Sequence, residues 1–408
     1  MVEIADVDDR DSLRDWLQET GQSREACVWL ASRAALWVLP IAWAEASSRL
    51  DLTPLPILRA NLIAGVAPVC PTPAIKSAAA AAYAAADAAI TAAAYAAADR
   101  AASDAAYAAI TAAAYAAADR AASDAAYAAI TAAAYAAFSA AVTAAAATDA
   151  TADLAVWEAS RRDMGILQDG DFLGKGLRLW PAGGNPLEDA WREVKRGLAQ
   201  GDPASARGVG TGLDWSFWLD WYQDALDGKT PDWDVLEEIA LSGLARDGDY
   251  QREDFNPFWE GTDAEVLARI NEIVERHALL AEIRKLKAER DSLRAAASAS
   301  AAHRSHNNPP ELVEEQAQQE VTIVWAYLDD IEVELKKPDI DHGRLRRLGQ
   351  RLVSQAREVL SLAGKDTKKD MAMAIRLAVY GGGGLALMAR IVEFGEWLGR
   401  FVGPSLGF

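Results

Sequence analysis

The residue types that most often perform chemistry are sparse in this chain and are not arranged as a catalytic site. The chain has four histidines and two cysteines in 408 residues. His303 and His306 lie three positions apart, but no cysteine or carboxylate stands at metal-ligand spacing from them. No Ser-His-Asp pattern can be assembled from the sequence. The sequence therefore predicts no catalytic residue, no metal site and no cofactor.

Two glycine-rich stretches could be taken for phosphate-binding loops. GVGTG, at residues 208–212, follows no predicted strand and opens no βαβ unit. GGGG, at residues 381–384, lacks the lysine and the serine or threonine of a P-loop. A hinge or close helix packing explains the second stretch better than nucleotide binding does.

The tryptophan-rich middle of the chain is the region that could bind a small ligand. Its most aromatic stretch, DWSFWLDWYQDALDG, predicts a short helix with Asp214 as its N-cap, and Thr230 is the predicted N-cap of the next helix. Clustered aromatic residues can line a binding cleft, but at helical spacing they more often form core. The candidate cleft residues are Trp215, Trp218, Trp221 and Tyr222.

Charge is distributed unevenly along the chain. The formal net charge is -19, which argues against nonspecific nucleic-acid binding, yet residues 336–400 carry 13 Lys and Arg against 7 Asp and Glu. This basic part indicates an anionic partner, self-association with the acidic remainder, or simply a solvated basic helix. The arginines on the predicted helix are Arg344, Arg346, Arg347 and Arg351.

The C-terminal segment combines apolar and basic character and permits two interpretations. Residues 371–388 contain one charged residue, Arg376, and are interrupted by glycines. A basic approach followed by an apolar, tryptophan-bearing helix is typical of an interfacial membrane helix, and it fits the buried last helix of a bundle equally well. The residues that would contact the membrane or a partner are Ile391, Phe394, Trp397 and Phe401.

A heptad-like seam marks residues 263–297. Leu279, Ile283, Leu286 and Leu293 lie on this seam, with lysine and glutamate at its flanks. The pattern predicts either a coiled coil that joins copies of the chain into a homo-oligomer or an antiparallel helix pair within one chain.

An alanine-rich repeat occupies residues 76–164, which contain no glycine or proline before Gly165. The unit ITAAAYAAADRAASDAAYAA begins at Ile90 and is repeated from Ile110. Alanine has the highest helix propensity, and twenty residues turn an ideal helix by about 2000°, so successive copies are rotated by about 200°. The repeat therefore predicts a helical spacer or packing rod without a single apolar stripe, either straight or folded back.

An apolar stretch of 21 residues, 26–46, is long enough to span a membrane. Arg33 near its middle and Pro40 oppose a span, so a buried helix of a bundle is favoured. The acidic start of the chain lacks a secretory pattern, and two cysteines fit a reducing compartment. We expect a cytoplasmic protein with a peripheral location at the inner membrane as a further option.

Four stretches of the sequence resemble an uncharacterised family of bacterial proteins. They are SRAALWVLP, WLDWYQDALDG, INEIVERHALLAEI and HNNPPE, of which the last is the most distinctive. The resemblance covers the chain in scattered pieces and implies a bacterial origin. It implies no activity and no site residues.

These patterns predict an all-α, elongated protein of several helical segments. The segments are an N-terminal helical domain (1–75), the alanine-rich repeat helix (76–164), a tryptophan-rich helical region (165–262), a coiled-coil-like helix (263–297), a linker (298–310) and a C-terminal helical domain with an apolar end (311–408). The predicted function is that of a non-enzymatic structural or interaction protein. The alternatives are a membrane-perturbing bacterial effector and, third, a small-ligand-binding protein or enzyme that uses the tryptophan-rich middle.

Overall fold

A computed structural model of the protein describes residues 2–41, 43, 54–75, 152–170, 172–173, 175–180, 184–200, 213–242, 259, 261–301, 312–364 and 382–403. Within these ranges the regular structure is helical and contains no strand, which confirms the predicted all-α fold. After a short 3-10 helix, Ile4–Asp6, the α-helices are α1 Arg10–Glu19, α2 Arg24–Trp37, α3 Leu55–Val66, α4 Ala152–Asp169, α5 Glu188–Gln200, α6 Ser216–Asp227, α7 Trp233–Leu241, α8 Asp263–Ala301, α9 Leu312–Leu335, α10 His342–Gly364 and α11 Gly382–Phe401.

Several predicted segments lie wholly or partly outside the described residues. Residues 76–151 of the repeat are among them, and the end of the predicted repeat helix belongs to α4. The GVGTG stretch also lies outside. α8 continues to Ala301, inside the predicted linker 298–310, and the remainder of that linker lies outside the described residues.

The chain divides into two compact units, residues 1–271 and 272–408. This division differs from the predicted domains, because the N-terminal region, the end of the repeat region and the tryptophan-rich region fall in one unit. Contact between α2 and α4 joins parts of the first unit that are more than a hundred residues apart in sequence. The second unit contains most of α8 together with the C-terminal helices.

The first unit is built around α2 and α3, which pack against each other. Both helices are buried around most of their circumference, and Leu30 and Ala34 of α2 are fully buried. As predicted, α2 is therefore a buried helix. α4 packs on α2, and α7 packs on α3.

Local hydrogen bonds determine where the helices of the first unit begin and end. Asp9 and Ser12 form a capping box at the start of α1, and Gly21, just beyond its end, has the left-handed φ of 62°. Two predicted N-caps are displaced. Asp214 accepts from the N–H of Ser216 in an Asx turn while Trp215 occupies the cap position of α6, and Asp232, rather than Thr230, caps α7.

The second unit is a helical bundle with one apolar core, to which α8, α9, α10 and α11 all contribute buried side chains. One buried residue from each helix, in this order, is Ile283, Leu328, Leu352 and Ile391. α10 packs closely on α11 and also on α9. A β-carbon added at Gly395 of α11 would overlap Cγ2 of Val353 in α10, so the two helices approach each other closely at this glycine.

Candidate functional site

The heptad-like seam of α8 lies inside the second unit. Leu279, Ile283 and Leu286 are fully buried in its core, and Leu293 is half-buried against the same core. The structure thus places the seam in helix packing within one chain, which is the second of the two predicted arrangements. These side chains are not available to join copies of the chain, and self-association stays a prediction that needs another surface.

The apolar residues of α11 are also directed into the second unit. Ile391 and Phe394 are buried, whereas Trp397 and Phe401 are half-buried. The indole N–H of Trp397 donates to Oε1 of Glu275 at 2.9 Å, and the Phe401 ring lies 5.8 Å from the ring of His342. The four residues therefore pack within the bundle, as in the interpretation of a buried last helix.

No helix in the described part of the chain combines the length and the hydrophobicity needed to cross a membrane.

The predicted arginines lie at the start of α10 and have different surroundings. Arg344 forms an ion pair with Glu334 at 3.4 Å, and Arg346 donates to the carbonyl oxygen of Val402 at 3.0 Å. Arg347 and Arg351 are exposed. Arg344 and Arg346 therefore bond to residues of neighbouring segments, whereas Arg347 and Arg351 have exposed side chains.

The carboxylates beside these arginines are held in their ionised form. The backbone N–H of Arg344 donates to Asp341 and, with the charge of Arg347, lowers the pKa of Asp341. Burial alone raises the pKa of Glu334, but hydrogen bonds from Lys337 and from the backbone of Asp341, together with nearby positive charge, lower it overall. The ionised carboxylate of Glu334 compensates Lys337 and Arg344, whereas Arg351 forms no ion pair with a described residue.

The predicted cleft residues form an aromatic core on one face of α6. Trp215, Trp218 and Tyr222 are buried, at spacings of three and four residues, and Trp221 is half-buried. The rings of Trp218 and Trp221 lie 5.5 Å apart in an edge-to-face arrangement. This placement agrees with the core interpretation favoured by the sequence.

Two tryptophans from distant parts of the first unit complete the aromatic cluster, which we define as Trp43, Trp191, Trp215, Trp218 and Tyr222. The ring of Trp191 lies 4.6 Å from that of Tyr222, and the ring of Trp43 lies 5.8 Å from that of Trp215. The region containing Trp43 is separated from α6 by more than 150 residues, and sequence spacing contains no signal for this contact.

Most polar groups of the aromatic cluster have no hydrogen-bond partner among the residues that the structure describes. The indole N–H of Trp191 donates to Oε1 of Gln223 at 3.1 Å. The buried donors without a partner among the described residues are the Nε1 atoms of Trp43, Trp215 and Trp218 and the hydroxyl of Tyr222. Burial, reinforced by the negative charge of Glu188, also raises the pKa of Tyr222, so its hydroxyl stays protonated. Four buried donors without a described partner in one cluster are unusual, because buried polar groups are normally hydrogen-bonded.

A buried ionic cluster lies elsewhere in the first unit. The sequence singled out one of its residues, Arg33, but not Asp163. Nε of Arg33 donates to Oδ2 of Asp163 at 2.5 Å, and Arg162 binds the other oxygen of this fully buried carboxylate. Both arginines also donate to backbone carbonyls in residues 177–179. Arg33 was the residue that opposed a membrane span, but nothing in the sequence pairs it with Asp163, which lies 130 positions away.

The two cysteines are not activated nucleophiles. Burial, with the charge of Glu25, raises the pKa of Cys27 to about 12. Burial and the interaction with Glu237 also raise the pKa of Cys70. A thiol reacts as its thiolate, so both side chains are less reactive than a free cysteine at neutral pH.

Among the described residues, no group of three or more histidine, cysteine, aspartate or glutamate side chains could hold a metal ion.

Comparison with known proteins gives no match: no protein family, no curated protein and no solved structure is significantly similar to this chain. The resemblance suggested by the four sequence stretches stays a prediction.

Proposed function

We propose that this chain is a non-enzymatic interaction protein whose second unit binds an acidic protein surface through the arginines of α10. The observation that carries the proposal is the exposure of Arg347 and Arg351 on a helix with five arginines and one glutamate. Arg351 forms no ion pair with another described residue. Exposed guanidinium groups bind carboxylates through paired hydrogen bonds, which supports an acidic partner.

A protein partner is favoured over a membrane because of where the apolar residues of α11 lie. An interfacial membrane helix needs exposed apolar side chains to insert between lipids. Ile391 and Phe394 are instead buried in the bundle. The arginines can still attract an anionic surface, but these apolar residues of α11 are not exposed to insert into it.

The proposal is tested by binding of the full chain to immobilised poly-L-glutamate, with anionic and neutral vesicles measured separately. We expect poly-L-glutamate binding that weakens as salt is raised, because exposed charge pairs are screened. Arg347→Glu combined with Arg351→Glu should weaken it by about tenfold or more.

A matched control changes the same amount of charge on another helix. Arg284 and Lys285 of α8 are both exposed, so Arg284→Glu with Lys285→Glu should leave binding nearly unchanged. Equal loss in both double variants would mean that only net charge matters and would contradict the proposal. Binding to anionic vesicles but not to poly-L-glutamate would replace the protein partner with a lipid surface.

A second candidate function is the binding of a small, acceptor-bearing ligand at the aromatic cluster. The specific observation in its favour is the set of four buried donors without partners among the described residues. Carboxylate or phosphate oxygens would satisfy such donors. It is tested by thermal stabilisation of the protein with compounds that carry these groups, and the stabilisation should disappear in Trp218→Phe and in Tyr222→Phe.

A further inference from the structure

α9 differs in charge from its neighbour α10. α9 contains seven carboxylates and no basic residue, whereas α10 contains five arginines and one glutamate. The two helices pack against each other and are joined by the short segment 336–341, so they run antiparallel. An acidic helix therefore lies beside a basic helix in the bundle.

The exposed part of α9 is partly apolar. The side chain of Ile323 is 40% exposed and that of Val333 is 59% exposed, although large apolar residues elsewhere in this unit are mostly buried. Asp330 lies between them and is exposed. At 3.6 residues per turn, these three residues share the side of α9 opposite to the core residues Val324 and Leu328. We call Ile323, Asp330 and Val333, with Arg347 and Arg351 of α10, the α9–α10 surface.

The charges of the α9–α10 surface lie at matching heights. The ion pair between Glu334 and Arg344 brings these two residues to one level of the bundle. Because the helices are antiparallel, α9 towards lower numbers and α10 towards higher numbers leave that level in the same direction. At a rise of 1.5 Å per residue along the helix axis, Asp330 lies about 6 Å from that level, Arg347 about 4.5 Å and Arg351 about 10.5 Å. The aspartate of one helix is therefore level with the space between the two arginines of the other.

Within one chain these charges do not pair with each other. Neither Asp330 nor Arg351 forms an ion pair with a described residue, and the charge of Arg347 acts on Asp341. A second copy placed face to face brings its acidic α9 opposite the basic α10.

We infer that the α9–α10 surface joins two copies of this chain in a symmetric dimer. A twofold axis parallel to the two helices places α9 of each copy over α10 of the other and keeps the heights unchanged. Asp330 then faces the two exposed arginines of the other copy, and Ile323 and Val333 are covered. The inference rests on the proposed function, since it assigns the acidic protein surface to a second copy.

The test uses charge reversal in the full chain, with mass measured by sedimentation velocity at micromolar concentration. The unmodified protein is expected to sediment as a dimer, with twice the chain mass of 43.7 kDa. The fraction of dimer should decrease at high salt, because salt screens the facing charges. One variant carries Arg347→Glu and Arg351→Glu, and the other carries Asp330→Arg. Each should sediment as a monomer, because like charges then face each other in both halves of the dimer.

Mixing the two variants supplies the decisive readout. In a mixed dimer every facing pair is again of opposite charge, so the equimolar mixture should regain the dimer mass. Misfolding of either variant could not produce this recovery, and circular dichroism checks the helix content of each. The double variant Arg284→Glu and Lys285→Glu should stay dimeric.

Three outcomes would overturn the inference: a monomeric natural protein, dimers that persist in both variants, or monomers that do not recover on mixing. The Asp330→Arg variant separates this failure from failure of the proposed function, because it retains the α10 arginines. If that variant binds poly-L-glutamate while the natural protein is monomeric, the proposed function stands and the dimer does not. If neither protein binds poly-L-glutamate, the proposed function fails as well.

Discussion

At the scale of single residues, the buried polar groups of the first unit fall into two classes. The carboxylate of Asp163 receives hydrogen bonds from two arginines, and Arg33 also donates to backbone carbonyls. The aromatic cluster instead contains buried donors with no partner among the described residues. A buried charge is tolerated when it is compensated, and an unpaired buried donor lowers stability by about 1–3 kcal/mol.

Removing the buried carboxylate should strongly destabilise the protein. Asp163→Asn leaves the Arg33 guanidinium buried without its counter-charge, and we expect a loss of about 3–5 kcal/mol in the free energy of unfolding. Denaturant titration measures it. The control is Asp189→Asn, because the side chain of Asp189 is 95% exposed beside Arg192, and its loss should change stability by less than about 1 kcal/mol. Similar effects of the two changes would contradict the buried arrangement.

A matched pair of tryptophans tests the unpaired donors. Trp37 and Trp218 are both fully buried, but the Trp37 N–H donates to the carbonyl of Leu179 at 3.0 Å, whereas the Trp218 N–H has no partner among the described residues. Replacing each by phenylalanine removes the same atoms. Trp37→Phe should therefore be more destabilising than Trp218→Phe by about 1–3 kcal/mol, as measured by denaturant unfolding. Equal losses would mean that the Trp218 N–H is hydrogen-bonded in solution.

At the scale of helices, glycine allows the close crossing of α10 and α11. Gly395 faces Val353, and Gly349 faces Leu398, where an added β-carbon would lie 3.2 Å from Cδ2. At Gly165 of α4, no other described residue, apart from the backbone and neighbours of the same helix, lies within 4 Å of the place where a β-carbon would be. Glycine is therefore required for close packing at Gly349 and Gly395, but not at Gly165 of α4.

Alanine substitution should have opposite effects at these glycines. Gly395→Ala forces a steric overlap in the α10–α11 contact, and we expect it to destabilise the second unit by about 1–3 kcal/mol. Gly165→Ala only removes the helix-propensity penalty of glycine and should stabilise by about 0.5–1 kcal/mol. Thermal unfolding of the full chain measures both. Stabilisation by Gly395→Ala would show that the helices are farther apart than described.

At the scale of the whole molecule, lowered carboxylate pKa values are found mainly in the second unit. Hydrogen bonds from Lys287 and Lys336 lower the pKa of Glu332, and the Arg290 hydrogen bond lowers that of Asp291. The pKa values of Glu334 and Asp341 are lowered as well. A carboxylate with a lowered pKa in the folded state stabilises above its unfolded value and loses this contribution as the pH falls through the folded value.

The protein should therefore lose stability in acid, with the second unit more affected than the first. Stability is expected to be retained above pH 4.5, the ordinary value for glutamate, and to fall as the pH decreases below it. Thermal unfolding followed over this pH range measures the effect. Glu332→Gln should reduce the dependence on pH, because one of the contributing groups no longer titrates. A melting temperature that does not fall in acid would contradict the described ion pairs.

The sequence by itself determined the helical character of the described residues and the faces of several helices. Apolar spacing is a local property, and helices are stabilised by local hydrogen bonds, so the all-α class was predictable, although the predicted N-caps Asp214 and Thr230 were displaced. Arg33 and Pro40 within an apolar run favoured a buried helix over a membrane span. The spacing of Leu279, Ile283 and Leu286 likewise identified an apolar seam.

Only the tertiary structure decided what covers each of those faces. An apolar seam has the same spacing whether it meets another chain or its own bundle, since hydrophobic burial is not directional. The same holds for the apolar residues of α11, which a membrane or a core could cover. The pairing of Arg33 with Asp163 and of Trp43 with Trp215 joins residues more than a hundred positions apart. Such contacts depend on how the helices pack, and no local pattern in the sequence records them.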